Sequence, residues 1–416
     1  METKMQEKNI SINELEKCVK CTICTAYCPV LKVSVIYPGP KQSGPDGERY
    51  RLKSSLFLDR NIKYCLNCKR CEVVCPSGVK IADIIHSARE SYGRQIPKVR
   101  DFILASTDLM GSAATPFAPV VNAMTGLGVT RFVLDKVMAI DRRRTFPQYS
   151  GTRFESWFKK EASSSQEGFK KKVSYFHGCY VNYNYPQLGK DFVTVMNALG
   201  VGVDLLEKEK CCGVAMISSG MFDSARKNAV TNITSLKKAM ADGRKVLTTS
   251  TTCTLTMRDE YPDILGIDNS SVRDGIVLAI RYIYEMLEKG EAKIAFKDGY
   301  RARAAYHVPC HMEKLGQSIF TRRLLKLIPG LELVDLDSNC CGIAGTYGFK
   351  KENYARSQAI GKPLFDNIEA VGPDYVACEC ETCKWQIEMS TTCKVKNPIS
   401  ILAEAMDIEK TTELNA

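Results

Sequence analysis

Eight cysteines in two matching runs carry the strongest chemical signal in this sequence of 416 residues. Each run has the spacing C-x2-C-x2-C-x3-C and is followed directly by proline. The runs are Cys18, Cys21, Cys24 and Cys28, and Cys65, Cys68, Cys71 and Cys75. Three thiolates at this spacing let a tight loop wrap one corner of a 4Fe-4S cluster while its backbone N–H groups point at the sulfurs. The two runs therefore predict two cubane 4Fe-4S clusters.

The fourth cysteine of each run predicts how the two clusters interlock. In this pattern, which bacterial ferredoxins use, it leaves its own loop and ligates the other cluster. One cubane is thus expected to be held by Cys18, Cys21, Cys24 and Cys75. The other is expected to be held by Cys65, Cys68, Cys71 and Cys28. Structural zinc is the alternative, but zinc motifs pair two cysteines and then leave a long gap, which does not account for the third cysteine.

A second cysteine pattern occurs twice after residue 171. The first copy contains Cys179, Cys211-Cys212-Gly213 and Cys253, and the second contains Cys310, Cys340-Cys341-Gly342 and Cys383. The copies are offset by 131, 129 and 130 residues at these three landmarks. Such agreement predicts two tandem copies of one domain.

The local sequence patterns around these cysteines are alike in the two copies. Strands are predicted at 173–176, 201–206 and 245–249, and again at 304–308, 331–336 and 374–377. Helices are predicted at 223–240 and 352–370. Strands that alternate with helices indicate α/β domains with largely parallel sheets, whose cysteines lie at strand ends. The glycine after each cysteine pair permits a bend that a side chain would block.

The two copies differ at one position, where Cys380 of the second copy corresponds to Ser250 of the first. Serine is a poor substitute for thiolate toward iron. The second copy is therefore predicted to hold a full cluster, with five cysteines: Cys310, Cys340, Cys341, Cys380 and Cys383. The first is predicted to hold a reduced, altered or vacant site, with four: Cys179, Cys211, Cys212 and Cys253. The structural alternative is that adjacent buried cysteines act only as small hydrophobic residues.

Four other residues near this pattern receive structural interpretations. Cys378 and Cys393 have no partner in the other copy and are predicted to be structural. His177 and His311 lie beside cysteines of the pattern and could relay protons. We interpret both as ordinary hydrogen-bonding residues.

Composition narrows the class of protein further. A hydrophobic fraction of 44% supports two or three domains with sizeable cores. Nineteen cysteines could indicate disulfides, but disulfide scaffolds are typically short secreted chains, so free thiols in a reducing compartment are expected. Residues 1–17 are polar and do not resemble a signal peptide. The net charge of +11 suits an anionic membrane surface or an acidic partner, and no nucleic-acid motif is present, so no nucleic acid is expected as a partner.

The segment between the two cysteine patterns carries a different signal. Residues 109–130 form a run of 22 residues without charge, but proline, asparagine and glycine within it argue against a membrane-spanning helix. An interfacial segment is one interpretation, with Phe132, Val133, Val137 and Ile140 on one helix face and arginines 142–144 directed at anionic headgroups. The other interpretation is that this segment packs against the ferredoxin domain or a partner. Residues 163–172 are predicted to be a flexible polar linker.

No complete G-x-G-x-x-G motif and no Walker loop occur in the sequence. We therefore expect neither flavin nor nicotinamide in this chain. Oxidation of an organic substrate is then expected to take place in another subunit, with this chain carrying the electrons onward.

The order of these motifs resembles a family that includes the D subunit of heterodisulfide reductase, the glycolate oxidase iron-sulfur subunit and the C subunit of anaerobic glycerol-3-phosphate dehydrogenase, and it is most similar to the last group. The resemblance covers nearly the whole chain. It rests on these stretches: CVKCTICTAYCPV at 18–30, YPGPKQSGPDGER at 37–49, YCLNCKRCEVVCPS at 64–77, TDLMGSAATPFAPVVN at 107–122, FHGCYVNYNYPQLGKD at 176–191, CCGIAGTYGFKKENY at 340–354 and CETCKWQIEMST at 380–391.

This resemblance implies an electron-transfer subunit that receives electrons from flavin-containing catalytic subunits oxidising glycerol 3-phosphate. It also implies attachment to the cytoplasmic face of the cell membrane and delivery of electrons to quinone. For the five cysteines of the second copy it implies a noncubane 4Fe-4S cluster. The alternatives are a thiol:disulfide reductase subunit and the iron-sulfur subunit of a glycolate- or lactate-type dehydrogenase.

The expected architecture is α+β and multidomain. A mainly helical dicluster ferredoxin domain is predicted at 1–100 and a connector with a membrane-interface segment at 101–171. Two α/β Cys-Cys-Gly repeats are predicted at 172–300 and 301–416.

Overall fold

The computed structural model describes residues 12–54, 60–92 and 98–416. The first eleven residues of the polar N-terminal stretch lie outside this part of the chain. The predicted fold class is confirmed, because a helical N-terminal region is followed by two parallel sheets, each flanked by helices.

Short helices dominate the N-terminal region and the connector. In the N-terminal region they are α1 (Ile12–Glu16), α2 (Ile23–Ala26), α3 (Gly47–Lys53), α4 (Arg70–Val73) and α5 (Ile81–Tyr92). The connector contains α6 (Val99–Ala105), α7 (Thr107–Ala114), α8 (Ala118–Gly126), α9 (Gly128–Met138) and α10 (Phe154–Trp157).

The first repeat forms a four-stranded parallel sheet in the order β2-β1-β3-β4. Its strands are β1 (Lys171–Phe176), β2 (Val201–Leu205), β3 (Val246–Thr248) and β4 (Ile276–Leu278). Its helices are α11 (Pro186–Ala198), α12 (Val214–Ser218), α13 (Phe222–Ala239), α14 (Thr251–Leu255), α15 (Tyr261–Asp263) and α16 (Ala279–Glu288).

The second repeat has the same topology, with strand order β6-β5-β7-β8. Its strands are β5 (Ala302–Tyr306), β6 (Leu331–Asp335), β7 (Tyr375–Ala377) and β8 (Lys394–Lys396). Its helices are α17 (Cys310–Leu315), α18 (Ser318–Leu325), α19 (Lys351–Val371), α20 (Glu381–Ser390), α21 (Pro398–Ala405) and α22 (Ile408–Asn415).

The six predicted strands and the two predicted helices are present, with ends that differ by a few residues. The sequence interpretation missed β4 and β8, which are only three residues long. In both sheets the cysteines follow the carboxyl ends of the first three strands, as predicted.

One hydrophobic core joins the two repeats. It includes Val173 and Val201 from the first sheet together with Ala304 and Tyr306 from the second, all buried. The C-terminal helix α22 also returns to the first repeat, where the Asn415 side-chain amide donates to the carbonyl of Ala198 (3.2 Å). The repeats therefore share part of their interior, and each also has a buried cluster built almost entirely from its own residues.

The predicted flexible linker at 163–172 is wrong. A 3-10 helix covers Ser164–Gly168, and β1 already begins at Lys171. The side chain of Gln166 is buried, and its Oε1 accepts a hydrogen bond from the backbone N–H of Val203 (2.8 Å). A polar composition was misleading here because Gln166 is satisfied inside the fold, while most of its polar neighbours are exposed on ordered secondary structure.

The expected helix face of the connector also requires correction. Helix α9 ends at Met138, and Ile140 lies beyond it, buried in an antiparallel bridge with Lys350. Arg144 is fully buried, where Nη1 donates to Gln386 Oε1 (2.5 Å) and the guanidinium stacks on Phe349. Arg144 therefore cannot contact lipid headgroups, whereas Arg142 and Arg143 are exposed.

Within the described residues no single helix has the length and hydrophobicity needed to cross a membrane. The stretches Thr107–Gly126 and Gly128–Met138 meet those criteria only as a pair, and they are bent by 84° relative to each other.

Candidate iron-sulfur sites

The two N-terminal cysteine loops have the same unusual backbone. Four non-glycine residues adopt positive φ angles, at the same two positions of each loop: Lys20 (58°), Thr22 (65°), Asn67 (54°) and Lys69 (61°). Side chains disfavour this conformation, so it persists only where the surrounding structure requires it. Tight loops of this kind fit the predicted wrapping of a cluster.

The predicted ligands of the first cubane lie together. Cys18, Cys21 and Cys24 line one cavity with Cys75, which comes from the end of the other run. The backbone N–H of Val79 donates to the Cys75 sulfur (3.4 Å), a contact that stabilises a thiolate. Cys21 is exposed, so this site lies near the protein surface.

The predicted ligands of the second cubane are also brought together. Cys28 packs in one apolar cluster with Cys65 and Cys68. Burial, Glu72 and these three neighbouring cysteines raise the pKa of the Cys71 thiol well above its usual value, so Cys71 lies beside them. Burial raises the pKa of the Cys28 thiol to about 11. Without a metal this sulfur would be protonated at neutral pH, so cluster assembly must displace its proton.

The five predicted ligands of the second repeat line a single cavity: Cys310, Cys340, Cys341, Cys380 and Cys383. The Cys383 and Cys341 sulfurs are 3.2 Å apart. Four of the five residues are buried, and Cys310 is partly exposed. A group of converging thiols of this density is suited to soft transition metals.

Gly342 shapes the turn behind this cysteine pair. Its φ is +84°, and its N–H is directed at the Cys340 sulfur (3.4 Å). A Cβ at this position would lie 2.1 Å from the carbonyl oxygen of Ser357 in α19. In the first repeat Gly213 has a similar φ of +95°, but a Cβ there would lie 3.4 Å from its nearest neighbour, in Ala225. The second repeat is therefore packed more tightly at this turn.

The second-repeat site adjoins the second cubane site. Cys68 lines the same cavity as the five cysteines of the repeat. Cys340 also belongs to the apolar cluster that contains Cys28 and Cys65. The two cubane sites adjoin as well, because Cys24 of the first and Cys71 of the second belong to one buried cluster. Three cysteine sites thus follow one another from the surface near Cys21 to the interior of the second repeat.

A buried charge network fastens the cysteine loops to both repeats. Lys69 pairs with Asp83 and lies 3.8 Å from Glu72 and 3.9 Å from Glu260 of the first repeat. Glu72 in turn pairs with Lys314 of the second repeat (2.8 Å). Burial alone would lower the pKa of Lys69, but the three carboxylates hold it above its usual value. Lys69 therefore stays charged.

The four cysteines of the first repeat are close together, with the Cys179 and Cys211 sulfurs 3.8 Å apart. Cys253 is buried beside them. Ser250, at the position of the missing fifth cysteine, accepts a hydrogen bond from the Cys253 N–H (3.2 Å) and donates to the Glu381 carboxylate (3.0 Å). Its hydroxyl is thus engaged in capping α14 and in contact with the other repeat.

The connector also reaches the first-repeat site. Asp108 at the start of α7 accepts a hydrogen bond from the backbone N–H of Cys211 (2.8 Å). Burial and the nearby Cys211 raise the pKa of Asp108 to about 6. This part of the connector is therefore integral to the cysteine site.

The histidines have different environments. His177 Nδ1 donates to the Gly178 carbonyl (3.0 Å), and His311 Nδ1 lies 3.3 Å from the Thr252 hydroxyl. His307, which the sequence interpretation did not single out, is buried, and neither of its ring nitrogens has a hydrogen-bond partner within the described residues. Burial lowers the pKa of His307 to about 4.

His307 lies next to the second-repeat site. One of its nitrogens and the sulfurs of Cys378 and Cys383 are all within 4.8 Å of one another. The sequence interpretation missed His307 because a contact with a cysteine that is distant in sequence leaves no periodic pattern.

An exposed apolar surface covers the connector helices. It is formed by ten residues of α6–α9 and the turns between them: Phe102, Leu109, Phe117, Val120, Met124, Leu127, Val129, Phe132, Val133 and Val137. The most exposed are Val129 and Val137, at 77% each. Exposed apolar side chains in this number within one segment are typical of a site that interacts with a membrane or a protein.

A dicluster cysteine region joined to two cysteine-rich α/β repeats defines a class of iron-sulfur proteins. The chain matches the 4Fe-4S dicluster domain over residues 14–79. It matches the Cysteine-rich domain twice, over 173–258 and 304–388.

Full-length relatives narrow the class further. The chain is 55% identical to the C subunit of the anaerobic glycerol-3-phosphate dehydrogenase of Escherichia coli (strain K12), over 94% of this chain and 98% of the relative. It therefore belongs to the family of anaerobic glycerol-3-phosphate dehydrogenase C subunits. More distant relatives are the glycolate oxidase iron-sulfur subunit of Escherichia coli (24% identity, covering 95% of each chain) and the D subunit of the dihydromethanophenazine:CoB–CoM heterodisulfide reductase of Methanosarcina mazei (23%, covering 96% of each).

Proposed function

We propose that the chain transfers electrons from the catalytic subunits of an anaerobic glycerol-3-phosphate dehydrogenase to quinone and attaches those subunits to the membrane. The catalytic subunits would carry the flavin. The observation that carries this proposal is the succession of three adjoining cysteine sites. Iron-sulfur clusters take up and release single electrons, and a chain of neighbouring sites is the arrangement that electron transfer requires.

The grouping of the thiols supports the following ligand sets. Cys18, Cys21, Cys24 and Cys75 would hold one cubane, and Cys65, Cys68, Cys71 and Cys28 the other. The five cysteines of the second repeat would hold a noncubane 4Fe-4S cluster, the type that the family resemblance implies. The unpartnered His307 fits this assignment, because its N–H could donate to a sulfur of that site and relieve the cost of its burial.

The first repeat would hold a smaller or altered metal site. Cys179, Cys211, Cys212 and Cys253 offer four thiolates, and the carboxylates of Asp108 and Glu381 are nearby. Serine at position 250 is committed to its hydrogen bonds with the α14 N-terminus and Glu381. This engagement supports a site without a fifth ligand.

The exposed apolar surface of α6–α9 would bind the cytoplasmic face of the cell membrane. Apolar side chains would enter the lipid boundary, and Lys136 and Arg142 lie nearby and exposed, available to anionic headgroups. Arg143 is exposed as well, but its guanidinium is engaged by Asp141 and Tyr354. Buried Arg144 takes no part. The chain would then be a peripheral membrane protein.

The test separates electron transfer from catalysis. In the complete complex, Cys24→Ser should abolish glycerol-3-phosphate-dependent quinone reduction, because it removes a ligand of the first cubane. Reduction of an artificial dye directly at the catalytic subunits should remain. The matched control is Cys393→Ser, a partly exposed cysteine outside all the proposed sites, which should leave both activities intact.

Two outcomes would contradict the proposal. If Cys24→Ser eliminated both activities while the complex stayed assembled, the chain would be part of the catalytic unit. If quinone reduction persisted with the first cubane lost, electrons would bypass the N-terminal region.

A further inference from the structure

A basic cavity of about 510 Å³ lies at the junction of the N-terminal region, the connector and the second repeat. Its volume is in the range typical of small-ligand sites. Cys65 is one of its lining residues, so the cavity reaches the proposed second cubane. Nothing in the proposed electron transfer requires a cavity here.

Positive charge dominates the lining. The cationic lining residues are Lys63, Arg89, Lys98, Arg100, Lys350 and Arg356, and the carboxylates are Asp101 and Glu352. Both carboxylates are already engaged by two of the cations, since Arg100 binds Glu352 with two hydrogen bonds (2.8 and 3.0 Å) and Lys350 binds Asp101 (2.7 Å). The other four cations have no carboxylate partner within the described ranges.

Two of these four cations are held in fixed positions. Arg89 donates from Nη2 to the carbonyl of Ser218 (3.2 Å). Arg356 stacks on the ring of Tyr64 (4.4 Å) and donates to the Tyr347 hydroxyl (3.1 Å). Guanidinium groups held in this way are suited to oxyanions, which they bind through several hydrogen bonds at once.

A buried donor adds to the charge. His86 is 1% exposed and lines the cavity, and its Nδ1 has no partner in the described part of the chain. Arg89 Nη1 is 3.5 Å from His86 Nε2 and can only donate, which leaves the imidazole proton on Nδ1. Burial, Arg89 and Lys69 hold the pKa of His86 well below its usual value, so the ring is neutral. The N–H is thus free for an acceptor.

We propose that this basic cavity binds a phosphate-class anion, either inorganic phosphate or a phosphate monoester, and that the bound anion lowers the reduction potential of the centre at Cys65. The anion would be held by Arg89 and Arg356, with Lys63 and Lys98 at the mouth. Added negative charge beside a cluster disfavours electron uptake, which gives the direction of the shift. The effect on potential rests on the proposed function, whereas binding of the anion does not.

The test uses the full-length chain with its iron-sulfur content, under anaerobic conditions. Calorimetric titration with inorganic phosphate, and separately with glycerol 3-phosphate, measures binding. An EPR-monitored redox titration with and without each anion measures the potential. Tighter binding of glycerol 3-phosphate would identify the monoester as the ligand, and equal binding would identify phosphate itself.

Two variants and one control define the site. Arg356→Gln should weaken phosphate binding by about tenfold or more, because it removes a charge-assisted hydrogen bond. The pair Lys63→Gln and Lys98→Gln, both exposed and away from the core, should also weaken it if Arg356→Gln fails to fold. The control pair, Lys289→Gln and Lys410→Gln, makes the same change of charge at exposed positions outside the cavity and should bind as the wild type does.

The proposal is overturned if phosphate shows no saturable binding, if the cavity variants and the control pair bind it equally, or if binding leaves the potential of every centre unchanged. These readouts are independent of quinone reduction. A failure of the Cys24→Ser experiment would therefore leave the binding result standing, and the reverse also holds.

Discussion

The two Cys-Cys-Gly turns offer a matched pair of substitutions, Gly342→Ala and Gly213→Ala. Both glycines have positive φ, where an alanine costs about 1–2 kcal/mol. Only at Gly342 would the new Cβ also meet the Ser357 carbonyl oxygen, at 2.1 Å. Because that atom belongs to the backbone of α19, it cannot rotate away, and such overpacking costs about 1–3 kcal/mol more.

The expected result is a loss of stability of about 2–5 kcal/mol for Gly342→Ala and about 1–2 kcal/mol for Gly213→Ala. The difference corresponds to a melting temperature roughly 2–12 °C lower for Gly342→Ala, at about 2–4 °C per kcal/mol.

The chain provides its own reporters for this assay. Its two tryptophans are Trp157, beside the first sheet, and Trp385, in α20 of the second repeat. In a Trp157→Phe background, fluorescence would follow the surroundings of Trp385 in the second repeat, where its ring packs edge-on against Tyr180 of the first repeat. A local probe is needed because a multidomain chain need not unfold in one transition. Iron content measured on the same samples should fall only in Gly342→Ala, with the cubane signals retained. Equal melting temperatures for the two variants, or a larger loss for Gly213→Ala, would refute the packing argument.

Three further predictions concern the membrane surface, the charge network and the first repeat. Val129→Asp combined with Val137→Asp should weaken binding to anionic vesicles at least about 100-fold in a sedimentation assay, because two valines leave the lipid boundary. The control pair Val35→Asp and Val230→Asp, at exposed positions elsewhere, should leave vesicle binding unchanged. Equal effects of the two pairs would locate the membrane contact elsewhere. Lys69→Met should destabilise the protein by about 3–5 kcal/mol in thermal unfolding, because it leaves buried carboxylates without their cation. Lys41→Met, at the more exposed ion pair with Asp46, should destabilise the protein by at most about 1 kcal/mol. Ser250→Cys should raise the iron content of the reconstituted chain, because it completes the five-cysteine set. Ser250→Ala should leave the iron content unchanged and lower the free energy of unfolding by about 1 kcal/mol, because α14 loses its N-terminal cap. An unchanged iron content in Ser250→Cys would mean that Ser250 is not what limits the site.

The sequence predicted the features that repeat. The cysteine spacing, the doubled pattern and the six strands next to it are local and periodic, so they can be read without knowledge of tertiary contacts. Strand β8 was missed because Lys394–Lys396 has only one apolar residue, and its place in the sheet depends on pairing with β7.

Other misses involve partners distant in sequence. Arg144 was assigned to the surface because it ends a run of arginines, but Gln386 and Phe349 bury it from more than 200 residues away. His307 and the basic cavity escaped notice for the same reason. Cations contributed by three parts of the chain become a site only after those parts pack together.

The shared core has a consequence for the handling of this chain. The two copies of the repeat depend on each other, since one buried cluster of each includes side chains of the other. The C-terminal helix seals the first copy rather than its own. Cutting the chain at residue 300, at the boundary between the two copies, would therefore expose the shared core on both fragments, so the pair must be produced and engineered as one unit.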